Sequence, residues 1–257
     1  MDLRLTDKTA IITGASRGIG RAIACQLASE GMRLVVVART REQLDELAEV
    51  CPTECLVQSI DLRAEGAAAA VVGATTARFG RIDLLVNNAG ATKRGDFHAL
   101  SDADWSDGFA LKFFGAMRLC RAAWPHLQES RGSIVNIAGT GGRTASAEFT
   151  IGGAVNAAVL NLTKALADRG MKDGVRVNAI NPGLVTTDRL RIRIRDYAHR
   201  HAINESEAAR RMAEERGIER FGTPEEIARL VAFLASPAAG YCQGSIVDAD
   251  GGETHTL

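Results

Sequence analysis

Tyrosine is nearly absent from this chain. Tyr197 and Tyr241 are its only two among 257 residues, and all aromatics together make 5%. Any chemistry that needs a phenolic proton has only those two sources. Net charge is absent too: 31 basic residues balance 31 acidic ones. No overall positive field draws in nucleic acid or an anionic membrane, so neither is expected as a partner. No apolar run approaches the ~20 residues that span a bilayer, and the N-terminal MDLRLTDKTAIITG has no apolar signal region. A cytoplasmic protein is expected. The five histidines are scattered. The cysteines, Cys25, Cys51, Cys55, Cys120 and Cys242, are odd in number and form no CxxC pair. No metal site is expected, and the thiols read as reduced and structural.

What is present is an alternation. Lys8–Thr13, Arg33–Ala38, Cys55–Ile60, Ile82–Val86, Ser133–Ala138, Val175–Ile180 and Ser245–Val247 are short apolar runs that read as strands. Gly18–Glu30, Arg41–Val50, Gly66–Phe79, Asp102–Leu127, Ile151–Arg169 and Pro224–Leu234 carry helical periodicity. Such alternation predicts an α/β fold: a doubly wound parallel sheet of about seven strands, Rossmann-like, with helices on both faces. The strands are apolar throughout rather than alternating, as burial on both faces requires. One domain over residues 1–257 is expected. The Arg-rich segment Thr187–Gly217 interrupts the pattern. It is expected to be helical and mobile, and residues 184–217 should form the substrate side.

The first strand runs into Thr13-Gly14-Ala15-Ser16-Arg17-Gly18-Ile19-Gly20. Glycines after a strand let the backbone approach a pyrophosphate, and the amides of the following helix N-terminus bind that anion. With its GxxxGxG spacing, the chain here resembles the short-chain dehydrogenase/reductase family. The resemblance continues through Asp61-Leu62, Asn87-Asn88-Ala89-Gly90, Asn181-Pro182-Gly183, Thr187 and Asp250-Gly251-Gly252, each following its predicted strand. It implies a nicotinamide dinucleotide held by Gly14, Ser16, Arg17, Gly18, Ile19, Gly20, Arg39, Asp61, Leu62, Asn88, Ala89, Gly90, Asn156, Pro182, Gly183 and Thr187. Strand two ends Ala38-Arg39-Thr40-Arg41, with no acid before Glu42. An acid there would bond a ribose 2′-hydroxyl, whereas arginine suits a 2′-phosphate. NADP(H) is therefore favoured over NAD(H), with Arg17 as a second cation. The competing reading is that Arg39 and Arg41 merely open a solvated helix.

The resemblance also implies four catalytic positions. A tyrosine gives the proton, a lysine four residues later lowers its pKa, a serine bonds the carbonyl and a helix asparagine positions a water. Aligned on Leu162–Ala167 and on Asn181-Pro182-Gly183, those positions fall on Gly152, Asn156, Ala138 or Gly139, and Lys112. All four differ from the family pattern. The amide at 156 and the amine at 112 look exchanged, so the Lys112 ammonium is expected either toward Asn156 and the nicotinamide ribose or out to solvent. Glu148 is a further acid–base candidate if buried, and Arg143 and Thr144 are candidate pocket residues. Gly152 and Gly153 each cost a helix about 1 kcal/mol relative to alanine. Close approach of a ligand or tight packing of a neighbouring helix is expected to offset that cost.

Three functions stay open on sequence alone. One is an NADP(H)-dependent oxidoreductase with a substituted proton donor. Another is a dinucleotide-binding protein without turnover, acting as a sensor, scaffold or subunit partner, and the third is a lyase, hydratase or isomerase that uses the nucleotide structurally or through a transient redox step. An unidentified small-molecule substrate or ligand is expected. Arg189, Arg191, Arg193 and Arg195 fit an anionic substrate, a solvated face or a subunit contact. The resemblance and the apolar Gly152–Ala167 stretch imply a homo-tetramer or homo-dimer.

Overall fold

The computed structural model describes residues 2–255. Strand β1 (Thr9–Thr13) is buried along its whole length. Its neighbours are β2 (Arg33–Ala38) on one side and β4 (Leu84–Asn87) on the other. Beyond them lie β3 (Cys55–Ser59), β5 (Ser133–Ile137), β6 (Arg176–Pro182) and β7 (Ile246–Ala249). All pairings are parallel, and the order is β3-β2-β1-β4-β5-β6-β7. The order reverses at β1 and β4, so a crevice opens beyond their C-terminal ends.

Side-chain alternation divides the apolar strands between two cores. Ala10, Ile12, Leu34, Val36, Leu84 and Val86 face one layer, where α1 (Gly18–Ser29) packs against α9 (Pro224–Ala235). Ile11, Val35, Val37, Leu85 and Ile134 face the other, against α3 (Ala67–Phe79) and α5 (Ala116–Ser130). Helix α2 (Arg41–Val50) joins β2 to β3 and buries Leu44 and Leu47. Helix α6 (Thr150–Asp173) buries Ile151, Val155, Val159, Leu160 and Thr163 while leaving Ala154, Ala157, Asn161 and Lys164 exposed. Among the described residues no helix is long and apolar enough to cross a membrane, and all five cysteines are free thiols.

Two elements depart from the sequence reading. The expected helix 102–127 is not continuous. Helix α4 (Asp102–Phe109) and α5 are separated by a π-turn at Ala110–Gly115, whose wider hydrogen bonding re-aims the side chains within it. Helical periodicity does not reveal such an insertion here, because α4 buries only Gly108 and so sets no apolar face against which a shift could be seen. The Arg-rich segment forms α7 (Asp188–His201) and α8 (Glu205–Glu214). They share a small core of Leu190, Ile194, Tyr197, Ala198, Ala208 and Met212.

Candidate active site

The loop after β1 is shaped by contacts with the end of β4. The Thr13 hydroxyl donates to the Val86 carbonyl and accepts from the backbone amides of Asn88 (2.9 Å) and Ala89 (3.0 Å). The Asn88 amide donates in turn to the carbonyls of Thr13 (3.0 Å) and Gly14 (3.2 Å). Asn88 therefore spends its side chain on the loop, and Thr13, passed over in the sequence reading, organises both strand ends. Gly14 has φ +66°, open to glycine at little cost. A Cβ on Gly20 would collide with the Gly14 carbonyl. Arg17 is the N-cap of α1 and makes no side-chain capping bond. The glycines thus let the loop close on itself and on Asn88, and the N-terminal amides of α1 are left without a side-chain cap, a geometry that can accept a diphosphate.

The other cofactor positions gather round the same cleft. A Cβ on Gly18 would stand 3.2 Å from Thr187 Cγ2, so the loop faces the start of α7. Thr187 is the N-cap of α7 but does not use its hydroxyl for capping, leaving it for a ligand. Gly183 packs against Asp250, with only 2.8 Å for an added Cβ, and Pro182 ends β6. Ser16 and Ile19 are half-buried, and Leu62 is buried with its carbonyl 3.3 Å from where a Cβ on Gly115 would lie. The Asp61 carboxylate caps the Arg63 amide at 3.0 Å and pairs with its guanidinium. Arg41 pairs with Asp45 at 2.9 Å along α2. Arg39 and Arg17 are exposed and make no ion pair among the described residues. These residues fit a nicotinamide dinucleotide.

Lys112 enters the site from the π-turn. Its ammonium donates to the Ala138 carbonyl at the end of β5, 2.7 Å away. Its stem is packed so closely against Gly90 that a Cβ there would stand 2.8 Å from Lys112 Cδ. The side chain thus crosses from the end of β4 to the end of β5. The amine turns inward rather than to solvent, and its hydrogen bond goes to a backbone carbonyl next to Gly139, the residue that packs on Asn156. The residue keeps partial exposure, but its ammonium is enclosed. Burial, reinforced by the nearby Arg189 guanidinium, pushes the pKa down to about 7.

Asn156 is 3% exposed, and its Oδ1 has no hydrogen-bond partner among the described residues. The glycine turn Gly139-Thr140-Gly141-Gly142 packs over it, with 3.0 Å between Asn156 Nδ2 and a Cβ placed on Gly139. Gly139 donates its amide to Asn181 Oδ1 at 2.8 Å, and Asn181 donates to Asp248. The space expected beside Gly152 is not open. The Phe149 ring lies where a Cβ on residue 152 would project, and the same ring stands 2.9 Å from a Cβ on Gly141. Two glycines therefore sandwich one aromatic ring, which accounts for their presence in and beside a helix. Gly153 meets the Gly141 carbonyl.

The remaining candidates divide. Glu148 is exposed on the turn before α6, so it is not a buried acid. A loop carboxylate with no apolar neighbour to cover it stays in water. Arg143 pairs with Asp248 at 3.3 Å, and Thr144 donates to the Thr140 carbonyl. Neither tyrosine joins this site. The Tyr197 hydroxyl donates to the exposed Glu215 just after α8, and Tyr241 is fully exposed.

A family model described as enoyl-(acyl carrier protein) reductase matches residues 14–254. The chain belongs to the short-chain dehydrogenase/reductase family of oxidoreductases. An uncharacterised oxidoreductase of Mycobacterium tuberculosis is 35% identical over 256 residues, covering 98% of this chain and 94% of the relative. Acetoacetyl-CoA reductase of Shinella zoogloeoides is 34% identical over 249 residues, covering 96% and 98%. L-Sorbose reductase of Gluconobacter frateurii, solved with NADPH and L-sorbose, superposes with a TM-score of 0.95 at 33% identity, covering both chains fully.

Proposed function

We propose that this short-chain dehydrogenase/reductase is an NADP(H)-dependent carbonyl reductase whose proton donor is the Lys112 ammonium. The observation that carries the reading is the enclosed amine between Gly90 and Ala138. It stands at the end of β5, beside the position where the family places its carbonyl-binding serine.

The amides of α1, with Gly14, Gly18 and Gly20, would hold the pyrophosphate. Thr187, Pro182 and Gly183 would hold the nicotinamide end, and Asp61 and Leu62 the adenine. Arg39 and Arg17 support the choice of NADP(H), because a 2′-phosphate would give both a partner. The dinucleotide, when bound, supplies hydride to the carbonyl carbon. Lys112 releases its proton to the carbonyl oxygen as negative charge develops there, leaves as the neutral amine, and regains a proton from water. A pKa near 7 suits this task, since an acid poised near the operating pH is both charged and willing to give up its proton.

A second reading, binding without turnover, is favoured by the Phe149 ring, which puts hydrocarbon where the family's phenol would begin. Following NADPH absorbance against a panel of ketones, aldehydes and oxo acids separates the two. Consumption that falls when Lys112 is replaced by methionine supports the reductase. Calorimetric binding of NADP(H) with no consumption by any carbonyl supports the second reading.

A further inference from the structure

Helix α7 carries arginine at every second position from 189 to 195, and the helical period sorts them into two faces. Arg191 pairs with Asp188 at 3.3 Å, and Arg195 with Glu205 at 3.7 Å. Arg189 and Arg193, four residues apart and therefore on one face, make no ion pair among the described residues. They turn toward the crevice instead. Arg189 donates to the Gly90 carbonyl at 3.1 Å and lies near both Arg17 and Lys112. Arg193 lies deeper along the same face, near Arg94, Arg216 and Arg189.

Arg94 reaches this place from the loop after β4. Its guanidinium lies over the Phe149 ring, 4.2 Å from the centroid. That loop is fastened to the turn before α6 by the Gly95 amide, which donates to the Glu148 carbonyl at 3.1 Å. Arg216 is paired with Glu253, and Glu148 is the other carboxylate near Arg94. Four guanidinium groups thus share two carboxylates. Burial and the neighbouring guanidiniums hold Arg193 down at about 10, well below the arginine range. Glu148 faces Arg94 and Glu253 faces both Arg193 and Arg216, so positive charge stays in excess, and like charges held together oppose one another; an anion there would relieve that opposition.

We infer that Arg94 and Arg193 form a subsite for an oxyanion, carboxylate or phosphate, carried by the carbonyl substrate. Arg189 lies on the dinucleotide side, next to Arg17. Arg94 and Arg193 lie near Arg216 instead, and the exposed Arg94 guanidinium stacks on the Phe149 ring face. Planar forked donors bind either oxyanion by paired hydrogen bonds. The inference rests on the carbonyl-reductase reading for the word substrate, but the anion site itself can be tested without turnover.

The experiment has two arms on the intact protein. Calorimetry with NADP⁺ reports on the dinucleotide cleft alone, and its failure would count against the reductase reading. With NADP⁺ bound, or without it should none bind, succinate and inorganic phosphate are titrated into wild type, R94Q, R193Q and, as a surface control, R191Q. Wild type and R191Q should bind one of the two anions, and R94Q and R193Q about tenfold or more weaker. The tighter of the two anions names the class. In turnover, 4-carboxybenzaldehyde or glyceraldehyde 3-phosphate should outpace its uncharged counterpart, 4-methylbenzaldehyde or glyceraldehyde, and R193Q should erase that advantage through KM. Equal anion binding by wild type and R193Q, or no binding of either anion by wild type, would overturn the subsite.

Discussion

The Lys112 ammonium donates to the Ala138 carbonyl oxygen at 2.7 Å, joining the π-turn between α4 and α5 to the end of β5. An amine enclosed this way resists charging, and its pKa near 7 follows from burial, with Arg189 adding to it. Reduction needs the protonated amine. The kcat/KM for carbonyl reduction should therefore be level below about pH 7 and fall about tenfold per unit above it. A pH–rate profile with NADPH checks this. A level profile to pH 9 would remove Lys112 as the acid.

The same group links pH to stability. In the fold Lys112 loses its proton near pH 7, whereas its ordinary value is 10.5. Between those values the unfolded chain binds more protons, so raising the pH through that window favours the fold. K112M lacks this effect. Urea unfolding should show K112M gaining on wild type at pH 6, on the order of a few kcal/mol, and losing most of that gain by pH 9.5.

Restoring a tyrosine at position 152 should not restore the family's chemistry. The Phe149 ring already occupies the start of any side chain there. G152Y should be destabilised by about 1–3 kcal/mol through overpacking, and F149A/G152Y should recover part of that loss. Thermal melts of the two variants and wild type check the order. A G152Y melt equal to wild type would mean that the ring moves aside freely.

Tyr197 supports structure and not chemistry. Its hydroxyl is bonded to Glu215, and its ring packs among Leu190, Ile194 and Met212. Y197F should lower the melting temperature only slightly, because the lost bond is to an exposed carboxylate, and leave the pH–rate profile of reduction unchanged. A loss of turnover out of proportion to the stability change would place a phenol in the mechanism after all.

Arg39 is exposed beyond β2, while its neighbour Arg41 is engaged by Asp45. R39A should weaken NADP⁺ about tenfold or more and leave NAD⁺ nearly unchanged, since only the former has a 2′-phosphate to lose. Calorimetry with both nucleotides reads this directly. Equal losses for the two would return Arg39 to the solvated surface.

The sheet was legible because burial on both faces writes itself into runs such as RLVVVA and TAIIT, and glycine spacing marks the turn that follows. The cradle was legible for the same reason. Thr13 was not, because one hydroxyl that accepts two amides across 75 and 76 residues of sequence leaves no local pattern. The inward turn of Lys112 depends on a π-turn, and α4 buries too little, Gly108 alone, for a shift of face to show in the sequence. Phe149 was missed because the two glycines that admit it, Gly141 and Gly152, lie in separate elements. The arginines of α7 were visible, but only the partners of Arg191 and Arg195 show which two face the crevice.

The most direct measurement is NADPH consumption by wild type and K112M under single-turnover conditions, with a carbonyl that wild type accepts, at pH 6.5. Nucleotide affinity for both is measured in parallel. K112M should bind NADPH and transfer hydride about 10²–10⁴-fold more slowly, the share that acid catalysis commonly contributes. Transfer by K112M at the wild-type rate, with nucleotide affinity unchanged, would contradict the assignment of the proton to Lys112.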